Sequence, residues 1–171
     1  MAQSLPMTGS TESSDPIGAH PAEDWAVLQE LDRQIDRVVL SRQHPITGLL
    51  PASTANTVHG NYADAWVRDC VYSIQCVWGL ALAHRRLRGP SRRVYELEGR
   101  VLQLMRGLLN AMLRQAPKVE RFKESLHRLH AIHAKFDTAS GGPVVADDGW
   151  GHLQLDATAL FLLQLAQLTR S

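Results

Sequence analysis

Apolar residues recur every three or four positions through most of the chain, with polar residues between them. This period is that of an α-helix with one buried side, whereas a strand buried on one face would show strict alternation. A short strand at Val144-Val145 is the only β-structure expected. The pattern predicts an all-α fold with helices at about 22–42, 64–88, 92–115 and 155–168, and with residues 118–133 as a fifth candidate.

The distribution of apolar positions around each predicted helix indicates where that helix lies. In the first helix, Leu28, Leu31, Ile35 and Val38 form one stripe, and the third helix has a similar single stripe, so both should lie on the outside. The second and fourth helices are apolar around more than half of their circumference, so both should be interior. Outer and inner helices that alternate along the chain are typical of stacked helical hairpins.

Polar residues mark where the predicted helices begin. Asp64 and Ser91 are the expected N-caps of the second and third helices, because a short oxygen-bearing side chain accepts a bond from the free N–H groups of a first turn. Asp156 is a candidate N-cap of the last helix on the same ground. The first two helices are joined by a loop at about 44–62, and a connection of this length is often functional.

Composition and charge narrow the class of protein. A net charge of +1 with 20% charged residues gives no sign of nucleic-acid or membrane binding. No stretch reaches the roughly 18 apolar residues that a membrane span needs, and the first residues lack the pattern of a secretory signal. Cys70 and Cys76 lie about 9 Å apart along one predicted helix, which exceeds disulfide reach. Both are expected to be free thiols, and the protein is expected to be cytoplasmic.

Residues 1–20 are rich in Ser, Thr, Gly and Pro and are expected to form a disordered leader. Pro21 suits the first position of a helix, where its missing N–H is not needed. A chain of 171 residues is too short for two domains of ordinary size. Residues 21–171 are therefore expected to belong to one domain.

The start of the second predicted helix carries an unusual combination of side chains, Trp66, Arg68 and Asp69. An indole can stack on the apolar face of a sugar ring, while a guanidinium and a carboxylate beside it offer hydrogen-bond donors and acceptors. Side chains of a first turn can point past the helix end into a cleft. The alternative is a buried Trp66 that anchors the helix beside a local Arg68–Asp69 ion pair, and the residues alone leave both interpretations open.

Three stretches carry a resemblance to a known family. They are residues 45–53 (PITGLLPAS), 64–74 (DAWVRDCVYSI) and 147–158 (DDGWGHLQLDAT). Together and in this order they resemble the N-terminal part of the glucoamylase-like domain of glycoside hydrolase family 15, in the branch of the phosphorylase kinase α and β regulatory subunits. The similarity runs from about Leu28 to Leu168.

The resemblance implies a fold. The family's domain is an (α/α)6 toroid, in which two concentric rings of helices hold the sugar pocket at one end. The four or five helices predicted here would be the first two or three helical hairpins of that toroid, so the chain would be its N-terminal portion and the toroid would be incomplete.

The resemblance also implies site residues. In the family the Arg and Asp of the Trp-x-Arg-Asp motif hold the terminal glucose, which implies that role for Arg68 and Asp69. The family's matching Gln-x-Asp stretch lies at a sugar-facing helix start, so Gln154 and Asp156 are further candidates. The tight acidic loop at 147–151 carries a second indole. The expected substrate-binding residues are therefore Trp66, Arg68, Asp69, Trp150, Gln154 and Asp156.

Hydrolysis of a glycosidic bond needs two carboxyl groups that flank it, one protonated and one ionised. The glutamates lie in the leader, on polar faces of predicted outer helices or in the basic segment that begins at Lys118. The resemblance places the family's catalytic acid and base in later parts of the toroid, beyond Ser171. The chain alone is therefore expected to be inactive, with no catalytic residue of its own.

Two functions follow from the resemblance. One is part of a family 15 enzyme, a glucan 1,4-α-glucosidase acting on α-glucans such as glycogen. The other is a regulatory or scaffold subunit of the phosphorylase kinase type, linked to calmodulin and a kinase complex, with a regulatory or vestigial sugar pocket. A helical interaction domain with no ligand is a third interpretation. The expected ligand is an α-glucan or a glucose-terminated oligosaccharide, and no cofactor is expected.

His127, His130 and His133 lie at intervals that would place them roughly on one side of a turn. A metal site is not expected there, because no Cys or acidic residue occurs at ligand spacing. The three histidines are instead expected to belong to a solvated face.

Overall fold

The structure is a computed structural model that describes residues 21–54, 56–57 and 60–170. The four predicted helices and the all-α fold class are confirmed, and the first part of the fifth candidate is also helical. The expected leader at 1–20 lies outside the described residues. The helices are α1 (Pro21–Val38), α2 (Val67–Arg88), α3 (Arg92–Leu113), α4 (Ala116–Ser125) and α5 (Leu155–Leu168).

The β-structure of the described residues is confined to two pairs of short strands. The prediction of a short strand at Val144-Val145 is wrong. The pairing occurs one residue earlier, where Pro143 forms an isolated bridge with Phe136. The second strand pair fixes the residues that precede α2. The pairs are β1 (Asn56–Thr57) with β2 (Gly60–Asn61), and β3 (Ala65–Trp66) with β4 (Lys135–Phe136), both antiparallel.

The first helix ends earlier than the sequence predicts. α1 stops at Val38, and the chain then tightens into a 3-10 turn at Leu40–Arg42. This turn places the buried Gln43 so that its side-chain nitrogen donates to the Gly48 carbonyl at 3.0 Å and to the Arg100 carbonyl at 2.9 Å. The two bonds fasten the end of α1 to α3 and to the loop that follows.

α2 is the central helix of the described fold, since it contacts α1, α3 and α5. Val71 and Ile74 are fully buried on it, which confirms the predicted interior position. The short connection to α3 turns at Gly89, whose φ of 75° favours glycine. Ser91 then caps α3 by accepting a hydrogen bond from the Val94 N–H at 3.3 Å, so this predicted N-cap is confirmed.

α3 lies very close to the loop that follows α1. A Cβ added at Gly107 would lie 2.1 Å from the carbonyl oxygen of Thr47, so only glycine allows this approach. The Thr47 hydroxyl donates to the Thr138 carbonyl at 2.6 Å, and the Gln103 side chain donates to the Pro45 carbonyl at 2.7 Å. The loop therefore begins as a fixed part of the packed structure.

α5 packs on α2 with one side only. Ala157, Phe161 and Gln164 are buried, whereas Leu162 and Leu163 on the other side are 56% and 61% exposed. The sequence predicts an interior helix, but in the described part of the chain only one side of α5 is covered. None of the described helices combines the length and the apolar character needed to cross a bilayer.

Candidate functional site

Strand pairing, rather than a capping side chain, holds the segment that precedes α2. Trp66 is the N-cap residue, and the Val67 N–H donates to the Ala134 carbonyl at 3.0 Å. The prediction that Asp64 caps α2 is therefore wrong. The Asp64 carboxylate instead pairs with the Lys135 ammonium at 3.0 Å. The reason is the β3–β4 register, which places Trp66 opposite Lys135 and brings Lys135 next to the segment that carries Asp64.

Trp66 is buried, with 5% of its surface exposed. Its ring is stacked with that of Tyr62 at a centroid distance of 6.5 Å, and the ring of Trp150 meets it edge-on at 5.4 Å. The Lys135 ammonium lies 5.2 Å from the ring centroid, within cation–π range. Trp66 is thus an anchor inside the fold, as in the alternative interpretation, and is not an open surface for a sugar ring.

Trp150 is the exposed indole of this region, at 71%. Its loop turns through a hydrogen bond from the Gly149 N–H to the Ala146 carbonyl at 2.9 Å. Gly151 has a φ of 84°, and a Cβ there would lie 3.1 Å from the Trp66 ring, so glycine lets the loop lie against Trp66. An indole presented on a loop that is held in this way is available to stack on a ligand.

Arg68 joins the starts of α2 and α5. Its guanidinium lies 3.6 Å from the Asp69 carboxylate and 3.8 Å from the Asp156 carboxylate, and all three side chains are between 33% and 48% exposed. These distances exceed those of hydrogen bonds. The Arg68–Asp69 pair of the alternative interpretation is therefore present, but it is loose, and donors and acceptors stay available for a ligand.

Gln154, rather than Asp156, is the N-cap residue of α5, and its side chain makes no capping bond. The interpretation of Asp156 as the N-cap is therefore wrong. Asp156 lies in the first turn of α5, where the helix dipole favours a negative charge. Its carboxylate is directed toward Arg68, which brings the sequence-predicted residues of the two helices together.

Three buried polar atoms of this region make no hydrogen bond within the described residues. They are Nε1 of Trp66, Oδ2 of Asp69 and Oε1 of Gln154. Roughly 90% or more of buried polar groups in proteins are hydrogen-bonded, so each exception requires an explanation. Together with the loose ion pairs and the exposed Trp150, these atoms mark the joined starts of α2 and α5 as a candidate ligand site, which we call the helix-start site.

Lys135 is a residue of this region that the sequence pattern did not single out. It is buried, it pairs with Asp64, and it lies over the ring of Trp66. A signal was present in the sequence, because a single lysine stands between Ala134 and Phe136 in a short stretch of small and apolar residues. Its partner, Asp64, is far away in the chain, so the sequence gives no reason to separate Lys135 from the basic segment that begins at Lys118.

The three histidines expected on one solvated face do not share a face. His127 and His130 belong to the short 3-10 turn that follows α4, with ring centroids 5.9 Å apart. His133 is buried and contacts both Asp147 and His152. The expectation is wrong because α4 ends before all three residues, and so no helical period relates them.

Comparison with known proteins places the chain in a family. The sequence profile of the family described as "Glycosyl hydrolases family 15" matches residues 27–171. Over 147 residues the chain is 50% identical to phosphorylase b kinase regulatory subunit alpha, skeletal muscle isoform, of Oryctolagus cuniculus. The matched residues make up 84% of this chain and 11% of that relative. The probable phosphorylase b kinase regulatory subunit beta of Drosophila melanogaster is 38% identical over 137 residues, which cover 80% of this chain and 12% of the relative.

The chain thus spans only 11% to 12% of the length of these relatives. The matched segment nevertheless includes the Trp-x-Arg-Asp motif, the Trp150 loop and the start of α5, and so it contains the whole helix-start site. From the profile match and these identities, the chain belongs to glycosyl hydrolase family 15, in the branch of the phosphorylase kinase regulatory subunits.

Proposed function

We propose that this chain is part of a regulatory protein of glycogen metabolism, of the phosphorylase kinase type, and that its helix-start site binds the terminal glucose unit of an α-glucan. One observation carries the sugar-binding part. The loosely paired charges of Arg68, Asp69 and Asp156 lie at the joined starts of α2 and α5, where buried polar atoms have no hydrogen-bond partner among the described residues.

The chemistry of a pyranose ring matches this set of side chains. Its C–H faces are apolar and stack on an indole, which Trp150 offers, while Trp66 supports the Trp150 loop from inside. Its hydroxyl groups donate and accept hydrogen bonds, for which Arg68 supplies donors and the two carboxylates supply acceptors. Hydrogen bonds to charged groups contribute about 1.5–3 kcal/mol each, so two or three of them suffice for specific binding.

Two of the described glutamates lie in ion pairs on exposed helix surfaces, which fits binding without hydrolysis. Glu30 pairs with Arg33 at 2.6 Å and Glu120 with Lys123 at 2.7 Å, each on an exposed helix surface. A glycosidase needs two carboxyl groups opposed across the bond that it cleaves. The relatives are named as regulatory subunits of a kinase, which supports a regulatory role and a kinase-type complex as the protein partner.

The variant Asp69→Asn tests the sugar-binding part. Calorimetric titration with maltoheptaose should show an affinity lowered about tenfold or more, because a lost hydrogen bond to a charged group removes about 1.4 kcal/mol or more. The melting temperature should change little, since the carboxylate is partly exposed and only loosely paired. Glu124→Gln, an exposed carboxylate of α4, is the matched control and should change neither quantity.

If Arg68 and Asp69 form only a structural pair, the same variant should lower the melting temperature and leave the affinity unchanged. That result would remove Asp69 from the site. Failure of the unmodified protein to bind any α-glucan would refute the sugar-binding part and leave the regulatory role to be tested by assembly with a kinase subunit. Release of glucose from maltose or glycogen by the purified chain, above a matched inactive preparation, would contradict the absence of catalysis.

A further inference from the structure

A second group of polar side chains includes two residues that flank Trp150 in sequence. It consists of His133, Asp147 and His152, which we call the histidine cluster. One ligand atom from each residue lies within 4.8 Å of the other two. The two histidines are buried, and Asp147 is exposed. His133 comes from the segment before β4, while the other two residues belong to the loop that precedes α5.

His152 is oriented in the way that metal-bound histidines are. Its Nε2 lies 2.7 Å from the carbonyl oxygen of Ala131. Because a carbonyl only accepts hydrogen bonds, Nε2 carries the proton, and the lone pair of the neutral ring is on Nδ1. Metal-bound histidines commonly donate their other ring N–H to a carbonyl or carboxylate, which fixes both the tautomer and the ring orientation.

His133 has a buried nitrogen with no hydrogen-bond partner among the described residues, its Nδ1. Its Nε2 lies 2.8 Å from the Asp147 carboxylate, and its ring is tilted by 50° to that of His152 at a centroid distance of 4.4 Å.

The ammonium of Lys118 already occupies a cation position in this cluster. It donates to the Asp147 carboxylate and lies 3.1 Å from Nε2 of His133, and Lys118 is 6% exposed. A groove of about 340 Å³ runs past Lys118, His133 and Asp147. Entry of an ion by this groove requires the Lys118 side chain to move aside into it. An ammonium and a divalent ion cannot share one carboxylate oxygen at close range, because their charges repel, so they must compete.

We propose that the histidine cluster binds a late first-row transition metal ion, such as Zn²⁺, in competition with the Lys118 ammonium. Two imidazoles and a carboxylate suit Zn²⁺, Ni²⁺ or Cu²⁺, whereas Ca²⁺ and Mg²⁺ take oxygen ligands. In a tetrahedral site with bonds of about 2.0–2.2 Å, the ligand atoms lie about 3.4 Å apart, so the three side chains must adjust from their present spacing, which the exposed Asp147 allows.

The bound ion would cross-link two separate segments, because His133 precedes β4 and the other two ligands flank Trp150 in sequence. None of the three ligands is among the residues proposed to contact the sugar, although two of them flank Trp150, so the metal and the sugar are tested by separate measurements. No metal site is expected from the spacing of His127, His130 and His133, because no acidic residue lies at ligand spacing, whereas the fold brings Asp147 to His133 from a distant position.

Metal binding is measured on the purified chain without a polyhistidine tag, after treatment with a chelator. Co²⁺ is added first, because its visible spectrum reports the ligands, and Zn²⁺ then displaces it in the presence of a chromophoric chelator. We expect one saturable Zn²⁺ equivalent, which neither Mg²⁺ nor Ca²⁺ displaces. His152→Gln should weaken binding by about tenfold or more. Lys118→Met should strengthen it by about tenfold or more, because it removes the competing charge.

His127→Gln is the matched control, because His127 lies outside the cluster, and it should leave the affinity unchanged. Asp147→Asn leaves the buried Lys118 ammonium without its ionic partner, so a loss of Zn²⁺ affinity in this variant counts only if its melting curve shows a folded chain. Circular dichroism melts accompany each variant. The proposal is overturned if Zn²⁺ binds neither the unmodified chain nor Lys118→Met, or if His127→Gln weakens binding as much as His152→Gln does.

Discussion

Two glycines on α3 provide a direct measurement of how tightly that helix packs on the loop after α1. Gly99 is exposed, and a Cβ added there meets no atom within 4 Å. Gly107 faces the loop, where an added Cβ would lie 2.1 Å from the Thr47 carbonyl oxygen. Both glycines are in the interior of the same helix, so substitution by alanine changes the helix preference equally at the two positions.

The expected magnitudes follow from these two environments. Alanine is favoured over glycine in a helix interior by about 0.5–1 kcal/mol, so Gly99→Ala should raise the free energy of unfolding by that amount. Gly107→Ala has the same gain, but its new methyl group overlaps Thr47, and overpacking of this kind costs about 1–3 kcal/mol. Because the helix contribution cancels between the two variants, their free energies of unfolding should differ by about 1–3 kcal/mol.

Urea unfolding followed by far-ultraviolet circular dichroism gives both values under one set of conditions. Gly99→Ala should have a higher midpoint than the unmodified chain, and Gly107→Ala a lower one, with similar slopes. Equal stabilisation by the two substitutions would show that Thr47 does not approach α3 as described. It would also remove the argument that the loop begins as a fixed part of the packed structure.

Three further predictions concern single side chains. Burial raises the pKa of the Cys70 thiol to about 12. Ellman's reagent at pH 8 should therefore modify only Cys76 in the native chain and both thiols in denaturant. Rapid reaction of both thiols in the native chain would contradict this. Lys135→Met leaves the mostly buried Asp64 without its partner and should cost about 3–5 kcal/mol of unfolding free energy, part of which Asp64→Asn should restore in the double variant. The exposed apolar side of α5 is expected to make the chain self-associate, and Leu162→Gln should reduce this association in sedimentation velocity. An unmodified chain that stays monomeric at high concentration would contradict the expectation.

Local signals were sufficient to predict most of the helices. The bounds of α5 agree with the prediction because its apolar run is long, and the position of α3 agrees because Ser91 follows a Gly-Pro break and supplies a cap. These features depend on neighbours within a few positions in the chain. The early end of α1 was not predicted, because it depends on hydrogen bonds from Gln43 to carbonyl groups of the loop and of α3.

The unpredicted position of Asp64 and the burial of Trp66, which the residues alone left open, depend on contacts between distant segments. Asp64 leaves the helix N–H groups because β3–β4 pairing presents Lys135 to it. Trp66 is buried because the Trp150 loop folds over it. In both cases the partner or the burial of a residue depends on another residue far along the chain, and the pattern of apolar residues does not show such a contact.

The contrast between the two indoles that meet edge-on has an optical consequence. Trp150, at 71% exposed, should emit at longer wavelength and be accessible to acrylamide, whereas Trp66, at 5%, should be shielded from it. A sugar or any other ligand that covers the Trp150 loop should therefore reduce the most readily quenched fraction of the fluorescence. The variant Trp150→Phe is the control, because it lacks the exposed indole. Ligand binding at the Trp150 loop can thus be followed by intrinsic fluorescence, without an added dye.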